Sequence, residues 1–101
     1  MLKLALFVRL EAKKGKEAAV EQFLASGLEL ATREPGTPLW FALKLGPSTY
    51  GVFDAFTDET GRQAHLNGPI AAALMEQAST LFSAPPSIEP IELIGTKLKA
   101  A

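Results

Sequence analysis

Thr49-Tyr-Gly-Val-Phe-Asp-Ala-Phe-Thr-Asp-Glu-Thr-Gly-Arg-Gln-Ala-His-Leu-Asn-Gly-Pro69 contains the transition that decides the fold. Residues 49–57 read as a strand, with Tyr50, Val52, Asp54 and Phe56 on one side and Gly51, Phe53 and Ala55 on the other. Asp58 is a good helix N-cap, and Glu59 suits the positive end of a first turn. A short helix runs to Leu66. Asn67-Gly68 ends it, and Pro69 opens a further helix at its first position, where a missing N–H is harmless.

Downstream, that helix runs to Phe82 with Ile70, Leu74, Ala78 and Leu81 on its buried face. Ala84-Pro85-Pro86 is a rigid exit, and residues 88–98 form a last strand with Ile91 and Leu93 packed and Ile88 and Ile94 as further candidates for packing. The tail from Lys97 to Ala101 is expected to fray. Upstream, residues 39–45 form a strand that reaches residue 49 through the hairpin connection Gly46-Pro47-Ser48. Glu34-Pro35-Gly36-Thr37-Pro38 stops a helix over 16–33, whose buried stripe is Val20, Phe23, Leu24, Gly27, Leu28 and Ala31. Residues 2–11 alternate strictly: Leu4, Leu6, Val8 and Leu10 face one way, Ala5, Phe7 and Arg9 the other. The order βαββαβ predicts a ferredoxin-like α+β sandwich. It has a four-stranded antiparallel sheet with strands 1 and 3 central, and one domain over 1–101.

Composition narrows the function. The chain has 101 residues, 48% apolar and 21% charged, with a net charge of −1 and no cysteine. There is no basic excess to neutralise a phosphate backbone, so no nucleic-acid partner is expected. No apolar run approaches the ~20 residues of a membrane span. The lack of cysteine removes thiolate metal sites and cysteine nucleophiles, and it fits a reducing, cytoplasmic compartment. Dinucleotide, P-loop, zincin and nucleophile-elbow motifs are all absent, and with one histidine and no cysteine a metal site would need carboxylates alone, of which no cluster stands out, so no metal is expected.

Two helices cover one sheet face, and nothing else in the chain covers the other. The expected open face carries Ala5, Phe7 and Arg9 with Trp40, Ala42 and Lys44, and with Tyr50, Val52, Asp54 and Phe56. Asp54 is placed there because it would be costly against the helices. A face this apolar predicts a homodimer, either as a dry interface or around a lined cavity. His65, the only histidine, reads as a general acid or base, or as a residue capping helix-end carbonyls. Asp54 pairs with Arg9 to orient a ligand, or it neutralises a buried charge. Phe7, Trp40, Tyr50 and Phe56 form an aromatic pocket or simply pack. Arg62 and Gln63 are expected in solvent.

The stretch from Tyr50 to Pro69 resembles the antibiotic biosynthesis monooxygenase-like (quinol monooxygenase-like) proteins. Their hallmark is a strand ending in an acidic residue and an aromatic, then a short helix ending Ala-His-Leu. Here these are Asp54, Phe56 and Ala64-His65-Leu66. The resemblance covers nearly the whole chain. It implies a dimeric α+β barrel, with a pocket between sheet and helices in each subunit. It also implies oxidation of a small aromatic or quinol by molecular oxygen without metal, flavin or haem. His65 is then the base or a hydrogen-bond partner, Asp54 orients it or the substrate, and Phe7, Trp40, Tyr50 and Phe56 clamp the ring system; Arg9, through its expected pairing with Asp54, joins the substrate-binding set. Many relatives carry tryptophan where this chain has Phe56, and the Asn-Trp-His set of haem-degrading relatives has no equivalent here. The alternatives on the same scaffold are a non-catalytic ligand-binding dimer and a cofactor-free isomerase or lyase using His65 as proton shuttle. At this level His65→Ala is expected to leave folding nearly intact.

Overall fold

The computed structural model describes residues 1–98. The chain runs β1 (Leu4–Glu11), α1 (Glu17–Thr32), β2 (Leu39–Lys44), β3 (Thr49–Phe56), α2 (Glu59–Leu66), α3 (Pro69–Leu81) and β4 (Ser87–Glu92). The strands pair antiparallel in the order β2-β3-β1-β4. This is the ferredoxin-like α+β arrangement expected from the sequence. The last strand is shorter than expected, because its pairing ends at Glu92 opposite Leu4, where β1 itself begins. The fraying expected at Lys99, Ala100 and Ala101 lies outside the described residues. Among the described residues, no helix is long and apolar enough to cross a membrane.

Local chemistry sets the element ends. Gly15 takes φ +83°, which side chains resist, and turns the chain from β1 into α1. The Asp58 carboxylate accepts the Gly61 N–H at 2.8 Å and so caps α2. Pro69 opens α3. Pro90 lies on the edge strand β4, where a missing N–H is tolerated.

Strand register decides which residues meet the helices. Leu6 pairs with Asp54, Val8 with Val52 and Leu10 with Tyr50; on the other side Trp40 pairs with Asp54 and Ala42 with Val52. Directly paired residues share a face. Val8, Leu10, Tyr50 and Val52 pack with Val20 and Leu24 of α1 and with Leu74 and Leu81 of α3. The expected face assignment for β2 and β3 is therefore corrected. Trp40, Ala42, Lys44, Tyr50, Val52, Asp54 and Phe56 turn toward the helices, away from Phe7 and Arg9. Asp54 is not excluded from that side, because His65 of α2 meets it there. The open face carries Phe7 and Arg9 with Phe41, Leu43 and Phe53, and Phe41 is 54% exposed. Leu28 of α1, expected in the core, is exposed.

Arg62 is also corrected. Its side chain is only 13% exposed, paired with Glu59 at 2.6 Å. It also donates to the carbonyls of Ala5 and Ile91, each at 3.4 Å, tying α2 to β1 and β4.

A backbone contact seats α2 against the turn after α1. A Cβ on Gly61 would lie 2.7 Å from the Gly36 carbonyl oxygen, and one on Gly36 would lie 3.3 Å from Gly61 Cα. Helix propensity alone would make Gly61→Ala stabilising by about 1 kcal/mol. The clash reverses that sign: the variant is expected to lose about 1–3 kcal/mol in urea denaturation. A neutral or stabilised variant would show that the turn yields freely.

Candidate functional site

The Gly36–Gly61 contact places the first turn of α2 beside the 34–38 turn. His65 lies one helical turn further on, and so it reaches back to Glu34. Its Nδ1 is 2.6 Å from Glu34 Oε1. Its Nε2 is 2.8 Å from Asp54 Oδ2 on β3. The Thr37 hydroxyl donates to the same Glu34 oxygen at 2.9 Å and fixes its position. The Phe56 ring lies 5.5 Å from the imidazole, centroid to centroid. The histidine is thus held on its two ring nitrogens by two carboxylates from separate parts of the chain.

The two contacts differ in quality. The Asp54 contact is short but off the N–H direction, and neither Asp54 oxygen has a well-aligned donor. Its attraction to His65 is therefore mainly Coulombic. Burial is the largest influence on His65 and by itself disfavours the imidazolium; Asp54 and then Glu34 outweigh it, and the ring's pKa is raised. The carboxylates lie against different ring nitrogens. Among the described residues, no group of three or more ligating side chains converges to hold a metal.

Asp54 and His65 wall an apolar cavity between sheet and helices. Its other walls include Leu6, Val8, Val52, Trp40, Leu74 and Ile88, and its volume is about 50 Å³. The Trp40 ring packs over Gly27 of α1, where a Cβ would lie 3.4 Å from its six-membered ring. Trp40 Nε1 is buried with no partner.

Of the residues expected at the site, the structure brings Asp54, His65 and Trp40 to this cavity. Phe56 backs His65 as a second layer. Tyr50 is a core residue whose hydroxyl donates to Glu21 at 2.6 Å, linking β3 to α1. Phe7 and Arg9 lie on the opposite sheet face, and Arg9 pairs with Glu11 at 3.1 Å rather than with Asp54. Sequence reasoning missed Glu34 and Thr37. Both sit in a stretch that reads as a helix stop, and its only further signal is an acid and a hydroxyl beside paired prolines.

No protein-family model matches this chain, and no curated protein matches it. Solved structures do. The fold is that of the antibiotic biosynthesis monooxygenase-like proteins. One of Nitrosomonas europaea, provisionally named an antibiotic biosynthesis monooxygenase, is 16% identical over 91% of this chain and 90% of its own, with a TM-score of 0.81. One from Caulobacter crescentus with the same provisional name is 14% identical over 93% and 92%, with a TM-score of 0.79. Within that fold, NE2512 of Nitrosomonas europaea, a protein of unknown function, is 69% identical over 100% of this chain and 98% of its own, with a TM-score of 0.96. The chain belongs to the same family as NE2512.

The burial of His65 revises the expected effect of its removal. His65→Ala leaves two buried carboxylates without a counter-charge, a loss of about 3–5 kcal/mol. Stability should also depend on pH. A histidine whose folded pKa lies above its ordinary 6.5 contributes stability that is fully present below 6.5 and lost as pH rises through the folded value. The urea midpoint is therefore expected to fall as pH is raised from 6.5 into the alkaline range. His65 is the only histidine, so that fall should vanish in His65→Ala. A pH-independent wild-type midpoint would contradict the doubly paired imidazolium.

Proposed function

We propose that this protein is a cofactor-independent monooxygenase, a single-domain cytoplasmic homodimer that oxidises a small phenolic or quinol-like aromatic with molecular oxygen. One observation carries the reading: a buried carboxylate, Asp54, stands in the wall of an apolar cavity without an aligned donor of its own. A substrate hydroxyl is the donor it lacks. The provisional names carried by neighbours in the fold support the same chemistry.

Asp54 accepts the hydroxyl proton, and the ring that remains is electron-rich enough to reduce oxygen. One oxygen atom enters the ring as a carbonyl, and the other leaves as water with the displaced ring hydrogen and the hydroxyl proton. The substrate supplies every electron, so no outside reductant is needed. His65 has both nitrogens engaged and therefore holds Asp54 in place and in charge rather than touching the substrate. Leu6, Val8, Val52 and Trp40 exclude water and orient the ring. Phe7 and Arg9 have no part in this pocket.

Size constrains the substrate. The cavity of about 50 Å³ is smaller than the roughly 150 Å³ that accommodates benzene in an engineered protein core. A ring enters when the wall opens. Ile88, 43% exposed on the edge strand, is where it yields at least cost. The same small volume favours a second reading, a binding dimer that holds a hydroxylated ligand at Asp54 without turnover. The exposed apolar face around Phe41 supports sheet-to-sheet dimerisation.

Two measurements test these proposals. Oxygen uptake should exceed autoxidation with a size-graded panel of hydroquinones, naphthoquinols and anthrones, favour the smaller rings, and fall by about 100-fold or more in Asp54→Asn. Ligand-induced thermal stabilisation without uptake would instead establish the binding module, and uptake unchanged in Asp54→Asn would remove Asp54 from the chemistry. In light scattering the protein should have twice the 10.8 kDa chain mass, and Phe41→Asp should shift it toward monomer. A monomeric wild type at micromolar concentration would sink the dimer.

A further inference from the structure

We infer that Asp54, His65 and Glu34 form a proton relay from the internal cavity to an outer groove, with Glu34 as its solvent end. This deepens the proposed function, since it takes Asp54 as the group that receives the substrate proton.

The inference stands on where the three side chains lie. His65 borders the cavity on its Asp54 side. It also borders a separate surface groove of about 400 Å³ on its Glu34 side, formed with Arg33, Pro35, Gly36 and Ala64. The imidazole is therefore part of the partition between the two spaces. Side-chain exposure rises along the row, from 1% at Asp54 through 8% at His65 to 16% at Glu34. The links are 2.8 and 2.6 Å, and they use different ring nitrogens. The ring thus couples the charge on Asp54 at one nitrogen to release of a proton to Glu34 at the other. Glu34 is held by Thr37 through Oε1, and its Oε2 is buried without a partner.

A purely structural role explains the row less well. Burying ionised groups costs several kcal/mol each, and a well-packed apolar replacement is often as stable. The groups facing His65 are few: Asp54 from β3, Glu34 and Thr37 from the 34–38 turn, and the apolar Phe56 ring. Near the cavity, α3 contributes the apolar Ile70, Ala71 and Leu74.

The protons balance. The count starts from two carboxylates and a doubly protonated ring. The substrate hydroxyl gives its proton to Asp54. The ring then gives its Nδ1 proton to Glu34, which passes it to groove water, and the ring keeps its Nε2 proton facing Asp54. One proton has entered the row and one has left, so its net charge is unchanged. When reduced oxygen takes the proton back from Asp54, Nδ1 is refilled through Glu34. Glu34 is a positioning and relay residue; it does not touch substrate.

The test needs no substrate. The single histidine gives unambiguous ring signals in the 15N-labelled protein. In the wild type, the Nδ1 proton should exchange with water faster than the Nε2 proton. Glu34→Gln, which accepts a hydrogen bond but not a proton, should slow Nδ1 exchange by at least about tenfold, and Glu34→Asp should restore most of it. A faster Nε2 proton in the wild type, or unchanged exchange in Glu34→Gln, overturns the relay. If Glu34→Gln does not fold, the wild-type comparison of the two ring protons still decides. With an oxidised substrate in hand, Glu34→Gln should lower kcat without raising KM, and millimolar formate should restore it. Wild-type turnover in Glu34→Gln would remove the relay and leave the monooxygenase reading standing. The expected exchange pattern with no oxygen uptake from any substrate would do the reverse.

Discussion

The His65 imidazole between two buried carboxylates is the contact on which the other features of the site depend. It joins three stretches far apart in the chain: the 34–38 turn, β3 and α2. Each carboxylate would be costly in that position without the ring, and the ring would lose its charge without them. The arrangement is cooperative in a simple electrostatic sense. Removing one member leaves the others buried and uncompensated. Paired glycines at 36 and 61 permit it sterically, because a side chain at either position would hold α2 away from the turn.

The same contact explains how a charged residue comes to stand in the helix-covered face of the sheet. A strand has only two faces, and a shift of one residue exchanges them. Register places Asp54 beside Leu6 and Trp40, in surroundings that would reject an unpaired acid. The result is an apolar cavity lined by Asp54, whose carboxyl lacks an aligned donor, and by Trp40, whose N–H is buried without a partner. The opposite face carries Phe7, Phe41, Leu43 and Phe53, with Phe41 left exposed. The cavity and the exposed apolar face thus lie on opposite sides of one sheet.

The fold itself does not name the reaction. Structures of this architecture keep their shape at 14–16% identity, where most side chains have changed, and function resides in the site. NE2512, at 69% identity, is a protein of unknown function. The residues that bear on the question are therefore Asp54, His65, Glu34 and Trp40 of this chain. A buried acid in a water-poor cavity is suited to taking a proton from a hydroxyl group. A histidine reaching from that acid to an outer groove is suited to carrying charge away.

By itself the sequence determined the element order, the strand and helix types, and the caps at Asp58 and Pro69. These depend on residues close in the chain: alternation, helical spacing, and glycine and proline at turns. Asp54, His65 and Trp40 were also legible as unusual residues. An acid in mid-strand, a lone histidine and a lone tryptophan stand out in any sequence. Only the tertiary structure decided which sheet face they occupy, because register is set by pairing between strands and by what the helices bring to meet them. The preference for keeping Asp54 out of the core was sound for an isolated carboxylate. It failed because His65 neutralises Asp54 from a different element. Arg9 was separated from Asp54 by the same register. Glu34 was invisible for a related reason: nothing local in Glu34-Pro35-Gly36-Thr37-Pro38 reveals that two glycines 25 positions apart bring that turn within hydrogen-bonding distance of a histidine on another helix.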